Sequence, residues 1–594
     1  MHGSLSLEFP KDFYENMQNL KVIAYYELQY PLFPRALANL KSLCLQDCKL
    51  MFDLTCIGDL ENLEVLSLAH CGIHKLPSRI GNLKKLKLLD LTGCVDLHID
   101  DGVFENLESL EELYMRVSEE KAVRFTNTNF EELKKLCALE VEFMEEMTQL
   151  KHLALTKLYK FKIAMGCMLK QDRYNERNTL KLVTDSITDL QDCKINELFN
   201  KIEKLYLQVG NMTSLQDVSI HHYDQRSFCN LTDLEVSNCV NLIYLFPMSV
   251  ASGLRKLECL RVLSCSVLKA LVQDDGREIN SVGEMIKFEK LKFLSLQKLP
   301  KLASLFLVNN VVELPQLVEL EVDGLPNFTS IYPDDNDTSA LQQPFLNSQV
   351  RISMLNKLKV KSMDKLTQIR ACSSEEEVNN ISMLKEIEVE RCDSLVHLFP
   401  TNPMRILNHL ERLTVKKCGS IETIFSYDLE WVGHEVEQVG KSRLTSIEVI
   451  KCDRLVNIFP TNPMRILNHL ERLTVEKCGS IETIFDYDLE WVGHEVEQVV
   501  KSSLRSIMVK DSEKVRELWR IKSGENNSSS IRGFEALERI NIEGCKGFRN
   551  VFTTTNTKLD IRIVADISIY DCGERGKNKD LICLLLPSFP HKFS

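Results

Sequence analysis

Apolar residues recur along the chain in one short frame. Leu40, Leu43 and Leu45 are followed by Cys48; Leu63, Leu66 and Leu68 by Cys71; Leu86, Leu89 and Leu91 by Cys94, a step of 23 residues taken twice. The same frame, with Leu, Val or Ile at its core, returns to end at Cys239, Cys265, Cys392, Cys418, Cys452, Cys478, Cys545 and Cys572. Copies beginning at Leu291, Leu317 and Leu355 keep the apolar positions and place Leu299, Leu325 and Met363 in the cysteine slot, and weaker copies begin at Leu136 and Ile202. The whole amounts to about 21 units of roughly 28 residues between Leu20 and Cys572, inside the 20–29 range of one known repeat class. The alternating core predicts a short strand with one inward face. Such a strand cannot bury its apolar side alone, so neighbours must stack into a parallel sheet over a continuous core. The slot held by cysteine is expected to point inward and to bond turn amides that would otherwise lack a partner.

Step length divides the chain. It stays near 20–24 residues up to Leu110, and after Leu231 it alternates between 26 and 34, as in 410 − 384 = 26 and 444 − 410 = 34. The expected organisation is a partial repeat over 1–19, short and degenerate repeats over 20–225, long paired repeats over 226–572, and a tail or cap over 573–594. The surplus residues follow the cysteine slot, where outer loops or short helices are expected. Polar stretches at Asp334–Ser339, Ser373–Glu377 and Asn526–Ser530 read as surface loops. Phe9 and Phe13 are expected to cover the first strand poorly. One double unit is copied almost unchanged: 399–442 matches 459–502 apart from Lys416/Glu476, Ser426/Asp486 and Gly440/Val500.

Composition narrows the chemistry. The charge, 73 − 85 = −12, is not the basic footprint of a nucleic-acid binder, and 23 glycines in 594 residues leave little room for phosphate loops. No apolar run approaches the roughly 18 residues of a membrane span. No signal peptide is visible, so the 20 cysteines are expected to be reduced thiols. Gly440, Lys441 and Ser442 end a P-loop pattern, but Glu435 stands where its first glycine belongs. His434-Glu435 and His494-Glu495 open a zincin pattern, but Gln438 and Gln498 replace the second histidine. Close cysteine pairs for zinc and a nucleophile elbow are both missing. No catalytic residue, cofactor or metal is therefore assigned. Cys48, Cys71, Cys94, Cys239, Cys265, Cys392, Cys418, Cys452, Cys478, Cys545 and Cys572 read as one buried structural slot.

What remains is a surface. The positions between the inward residues of each strand point out, and in the late repeats they carry mixed charges. Lys385, Glu388, Glu390, Arg391, Arg412, Lys416, Lys417, Arg472, Glu476, Lys477, Arg505 and Lys510 are the candidate partner-binding residues, on a face that solenoids use to hold proteins. A solvated face of weak cross-strand ion pairs is the plainer reading of any one of them.

Early units read L-x-x-L-x-L-x-x-C-x-(I/L)-x-x-L-P-x-x-I-x-x-L, as from Leu63 to Leu83 with Ile73, Leu76, Pro77 and Ile80. Late units add L-x-x-L-F-P, as in Leu242–Pro247 and Leu395–Pro400, and Leu107–Met115 reads LESLEELYM. Together these resemble the leucine-rich repeats of plant intracellular NB-LRR disease-resistance proteins of the coiled-coil class. The resemblance implies an α/β leucine-rich repeat solenoid, a horseshoe or superhelical arc. Its parallel β-sheet would line the concave face, with loops and short helices on the convex one. It implies a non-enzymatic, cytoplasmic module (the nucleus also open) that senses pathogen effectors or guarded host proteins. Such a module would also contact the nucleotide-binding domain of a full receptor, a domain for which this sequence shows no motif. An intracellular adaptor outside immunity, such as the substrate-recognition arm of a ubiquitin ligase, is the alternative.

Overall fold

A computed structural model describes residues 10, 12–28, 31–32, 37–50, 53–94, 97–116, 124–125, 130, 132–143, 153–167, 177–218, 227–274, 286–307, 311–331, 345, 350–367, 369, 383–399, 408–425, 442–461, 467–488, 502–522, 536–554 and 566–572. The three polar insertions, the zincin-like stretches, the P-loop-like stretch apart from the buried Ser442, Phe9 and the tail lie outside these residues. The chain forms two compact units, Met1–Ser266 and Val267–Ser594.

Each unit is built on a ladder of parallel strands. In the first, eleven strands follow one another from Val22–Tyr26 through Lys204–Val209 and Asp233–Ser237 to Cys259–Leu263. In the second, ten run from Phe293–Gln297 to Asp566–Tyr570. Inward leucines meet inward leucines in register: Ile23 opposite Leu43 and Leu43 opposite Leu66 in the first unit, Leu413 opposite Ile447 and Ile447 opposite Leu473 in the second. These side chains are almost wholly buried, while their strand neighbours are half-exposed. One slip of a single residue would turn every leucine outward, so the apolar frame itself sets the register. The change in repeat length near 225 does not interrupt pairing, since Lys204–Val209 runs beside Asp233–Ser237.

The strands end alike. The residue before the cysteine slot takes a left-handed conformation in repeat after repeat: Glu27, Asp47, His70, Asn238, Ser264, Lys298, Ser362, Arg391, Lys417, Lys451, Lys477, Asp511 and Asp571, with Gly93, Gly324 and Gly544 in the same role. This bend reverses the side-chain sequence and carries the next residue into the core. It also aims the bent residue's N–H at the neighbouring strand, as in Lys417 to Ile450 O (2.8 Å), Lys451 to Glu476 O (2.7 Å) and Lys477 to Lys510 O (2.9 Å). A side chain in this region costs about 1–2 kcal/mol. Lys451→Gly is therefore expected to stabilise the second unit by several tenths to about 1 kcal/mol after glycine's own entropic cost, read as a higher urea midpoint.

The slot that follows is buried at every one of the eleven cysteines. The groups it meets are carbonyls as well as the amides expected from sequence. Cys48 donates to Gln46 O at 3.3 Å, Cys71 to Leu45 O at 2.8 Å and Cys94 to Leu68 O at 3.2 Å; Cys478 reaches Glu476 O at 3.5 Å and Val449 O at 3.8 Å. The reason lies in the bend: it sends the local N–H to the next strand and leaves the carbonyl two residues back facing the core. Amides are met as well, as where Val209 N donates to the Cys239 sulfur at 3.3 Å. Ser512 fills the slot once, donating to Lys510 O and accepting from Cys478 N.

Behind the ladder, the first unit carries 3-10 turns and short helices such as Ile187–Asp192 and Met248–Ala251. In the second unit, short parallel strands stand among the outer loops: His397–Phe399 beside Thr423–Phe425, and Thr483–Asp488 beside Glu517–Lys522 beside Asn550–Thr554. They hold a column of stacked rings, Phe399, Phe425, Phe459, Phe485, Trp519 and Phe552, with centroids 5.5, 6.2, 5.3, 5.3 and 4.7 Å apart and planes within 21° of parallel. Each ring lies seven residues after the cysteine slot, so the column repeats the 26- and 34-residue steps of the strands. At the other end of the chain, turns through 12–20 bury Tyr14, whose hydroxyl bonds that of Tyr25. Tyr14, which the sequence reading did not single out, thus packs against the first strand, and Phe13 packs edge-on against it at 5.1 Å.

Candidate functional site

The outward rows of the second ladder bring the candidate residues together, three to a strand. Glu388, Glu390, Arg412, Lys416, Arg472, Glu476 and Lys510 lie within strands. Lys385 and Arg505 stand one residue before their strands, and Arg391, Lys417 and Lys477 occupy the left-handed bends just after theirs. The twelve therefore span the face from its entry edge to its exit edge, which the sequence frame alone did not distinguish.

Most of them are paired. Glu319–Asp323 presents three acids, Lys357–Lys361 three lysines and Glu386–Glu390 three acids again, so charge alternates from strand to strand. Lys359 meets Glu319 at 3.0 Å, Lys357 meets Glu386 at 3.2 Å and Lys361 meets Glu388 at 3.0 Å. Arg412 joins Glu386 at 3.0 Å, Lys417 joins Glu390 at 2.7 Å, Lys416 joins Glu448 at 2.9 Å and Lys385 joins Glu411 at 3.2 Å. Arg391 lies 3.6 Å from Glu390 and Arg505 lies 3.3 Å from Glu538. Lys477 meets Glu476 at 2.8 Å and Lys510 meets Glu543 at 3.2 Å. The Lys417 ammonium holds the Glu390 carboxyl below the usual carboxylate range, and Lys477 does the same for Glu476. Exposed pairs of this kind are worth about 0–1 kcal/mol each, so they fix side-chain positions more than they hold the fold. Beyond Arg472 the face is less closed. Among the described residues no ion pair reaches Arg472 or Arg539, and Met508 and Tyr570 stand 40 % and 62 % exposed. Aromatics, Met and Arg are the residue types enriched at protein interfaces.

The duplicated copies differ on this face. Lys416 reaches across to Glu448, whereas Glu476 turns to its own neighbour Lys477. Ile450 stands between them in the same row.

A second polar cluster lies on the first unit's ladder, in repeats whose sequence frame is degenerate. Glu140 is buried and faces Arg116 at 3.4 Å and Lys162 at 3.5 Å. Lys160 sits 5.1 Å over the ring of Tyr114, whose hydroxyl donates to Glu112 at 2.5 Å. Burial pushes the Lys162 ammonium down, against the raising effect of Glu140. Sequence reasoning missed this cluster because Phe161 replaces the usual leucine and no cysteine marks the slot. The paired outward charges of Glu140 and Lys162 were the available signal.

Nearer the start, Lys41 at 2.6 Å and Lys87 at 3.0 Å hold the Glu64 carboxyl down to about 2. Because this folded-state value is depressed, the stability it brings is present above the ordinary carboxylate pKa of about 4.3 and is lost as pH falls towards 2. The stability difference between wild type and Glu64→Gln, from urea titrations, should be level above about pH 5 and shrink steadily below it.

Among the described residues no group of three or more His, Cys, Asp or Glu side chains is placed to hold a metal ion. No helix of these residues is long and apolar enough to cross a membrane.

A ladder of parallel strands repeated in register, with one bend and one inward slot per turn, defines a leucine-rich repeat solenoid. The profile described as "Plant disease resistance protein RPS2-like, leucine-rich repeats" matches residues 179–266, 201–342, 268–419, 354–440 and 429–573, and a "Leucine-rich repeat region" profile matches 33–170. The chain belongs to this family of plant disease-resistance leucine-rich repeats. No curated protein matches it. Solved structures similar to it include an internalin of Listeria monocytogenes, 17 % identical over 63 % of this chain and 88 % of that one, TM-score 0.33. A leucine-rich repeat protein of Leptospira interrogans is 18 % identical over 66 % and 88 %, TM-score 0.36. The ectodomain of the plant membrane receptor kinase GASSHO1/SCHENGEN3 from Arabidopsis thaliana is 15 % identical over 91 % and 76 %, TM-score 0.31. The family makes the chain a protein-interaction module of plant resistance.

Proposed function

We propose that the chain senses pathogen effectors, or host proteins that effectors modify, through the outward rows of its second ladder, as part of a cytoplasmic resistance receptor. The observation that carries this reading is the geometry of those rows. Some thirty outward positions on ten strands stand in fixed register, and the fold constrains only the inward residues, so the face can be rewritten without disturbing the core. A near-identical duplicated pair of repeats is consistent with such rewriting: its two copies differ in charge at Lys416 and Glu476 on this face.

The test is a panel of pathogen effectors and host proteins they modify, co-expressed with the full chain in leaf tissue and recovered by co-immunoprecipitation. A double reversal, Lys416→Glu with Glu476→Lys, is expected to weaken capture of the true partner by about tenfold or more, as loss of interfacial charge pairs does. The control reversal of Lys546 and Glu513, an exposed pair off the strands, should leave capture unchanged. Equal capture by both variants would remove this face from recognition.

A further inference from the structure

Cys572 is the most exposed of the eleven slot cysteines, at 8 %, and follows the last described strand, Asp566–Tyr570. Its neighbour in the slot is Cys545. Glu543 pairs with Tyr570, so two residues further on both chains place a thiol in the same row. Adjacent strands lie about 4.8 Å apart, inside the 4.4–6.8 Å Cα window of a disulfide. The two thiols are near enough to perturb each other, Cys572 being lowered and Cys545 raised. Cys572 also reaches Tyr570 O at 3.1 Å and Ile542 O at 3.6 Å, and Cys545 reaches Glu543 O at 3.5 Å and Val509 O at 3.8 Å.

Other neighbours in the slot share this contact: Cys48 with Cys71, Cys239 with Cys265, Cys392 with Cys418, and Cys452 with Cys478. Access and strand pairing differ together: Cys71 is 5 % exposed, but the strands leading to Cys48 and Cys71 are each paired on both sides. Cys392, Cys418, Cys452 and Cys478 have no exposed surface, and both flanking strands of each are paired, so neither an oxidant nor a shift of the backbone is available to them. Among the described residues the Asp566–Tyr570 strand is paired on one side only, and it can move the fraction of an ångström that a disulfide needs.

We propose that Cys545 and Cys572 are a peroxide-sensitive dithiol that closes to a disulfide and staples the last strand to its neighbour. The Cys572 thiolate attacks one oxygen of a hydroperoxide. The O–O bond breaks, a sulfenic acid forms on Cys572, and the other oxygen leaves as water or alcohol after taking up a proton. The Cys545 sulfur then attacks the Cys572 sulfur. The S–S bond forms, the S–O bond breaks, and the departing hydroxide takes the Cys545 proton to give water. Two thiols lose two electrons and one peroxide gains them. The neighbouring Cys545 thiol lowers the Cys572 thiol, which favours the reactive thiolate. A neighbouring slot thiol likewise lowers Cys48, Cys239, Cys418 and Cys478, so acidity alone does not select the pair.

The test uses the full chain, folded and reduced, treated at pH 7.5 with a few equivalents of hydrogen peroxide, blocked with N-ethylmaleimide and mapped without reduction. A Cys545–Cys572 crosslinked peptide is expected first, with Cys392, Cys418, Cys452 and Cys478 still alkylated only after unfolding. Cys545→Ser should convert the product to a dimedone-reactive sulfenic acid at Cys572. In the oxidised wild type, proteolytic release of the last strand should slow on the order of a hundredfold, the effect of closing a loop of this length. Oxidation of Cys48–Cys71 or an interior pair ahead of Cys545–Cys572 overturns the proposal. So does stable sulfenic or sulfinic acid on Cys572 in the wild type with Cys545 left free.

Discussion

Phe485→Ala is expected to destabilise the C-terminal repeats by about 3–5 kcal/mol. The ring has no exposed surface and is stacked between Phe459 and Trp519, 5.3 Å from each. Removing it leaves a cavity that rigid neighbouring strands cannot fill, and it ends two aromatic contacts of about 0.5–1.5 kcal/mol each. Because a solenoid's stability is a sum over repeats and their interfaces, the loss should be local. Hydrogen exchange should rise in Thr483–Asp488 and Glu517–Lys522 and stay unchanged in Val22–Tyr26. Phe485→Leu, which refills most of the volume, should cost roughly 1–1.5 kcal/mol. Equal exchange in all three segments after Phe485→Ala would show that the column is not a unit.

Gly166→Ala is the second large effect, at about 3 kcal/mol or more. Gly166 has φ +67°, and a Cβ there would stand 2.1 Å from the carbonyl oxygen of Val183 on the next strand. The left-handed cost of about 1–2 kcal/mol is thus joined by a backbone collision that only a shift of the neighbouring strand can relieve, about 1–3 kcal/mol. Its N–H bonds back to Phe143 O at 2.7 Å, so the surrounding strands hold it from both sides. Thermal unfolding of the variant should begin well below that of the wild type. Lys451 makes the contrast: the same region of conformational space is tolerated there at the ordinary left-handed cost, with its N–H satisfied by Glu476 O. Gly166 is required by a carbonyl, not by its φ alone.

How far the sequence exposed all this depends on what each feature needs. The ladder needs apolar residues at fixed offsets. Its strands at Ser42–Gln46, Arg412–Lys416 and Arg539–Glu543 therefore lay in plain view, and the unit count matches the eleven and ten strands observed. Two strands did not, Lys160–Met165 and Thr179–Thr184. Phe161 stands for a leucine in the first, and ahead of the second Arg177 takes the leading position and pairs instead with Asp233 at 2.8 Å. The bend was hidden for a different reason. Left-handed residues are usually found by their glycines, and here Glu27, Asp47, Lys417 and Lys477 fill the site, because a cross-strand hydrogen bond imposes the conformation. The aromatic column was written in the sequence at seven residues past the slot, but its alternating steps conceal it from a fixed-period search. On the candidate face, residue types were legible and pairings were not: Lys416 and Glu476 occupy equivalent places, yet one reaches across a strand and the other along its own.

The reading that the outward rows of the second ladder bind the partner is tested most directly by photo-crosslinking. A benzophenone amino acid would replace Met508, 40 % exposed at the centre of the Ser506–Lys510 strand, and in a second variant Val456, 49 % exposed on the segment after Cys452. Both positions are open, so both variants should fold. In infected tissue a crosslinked partner is expected from position 508 and none from 456. Crosslinks from 456 with none from 508 would contradict the reading.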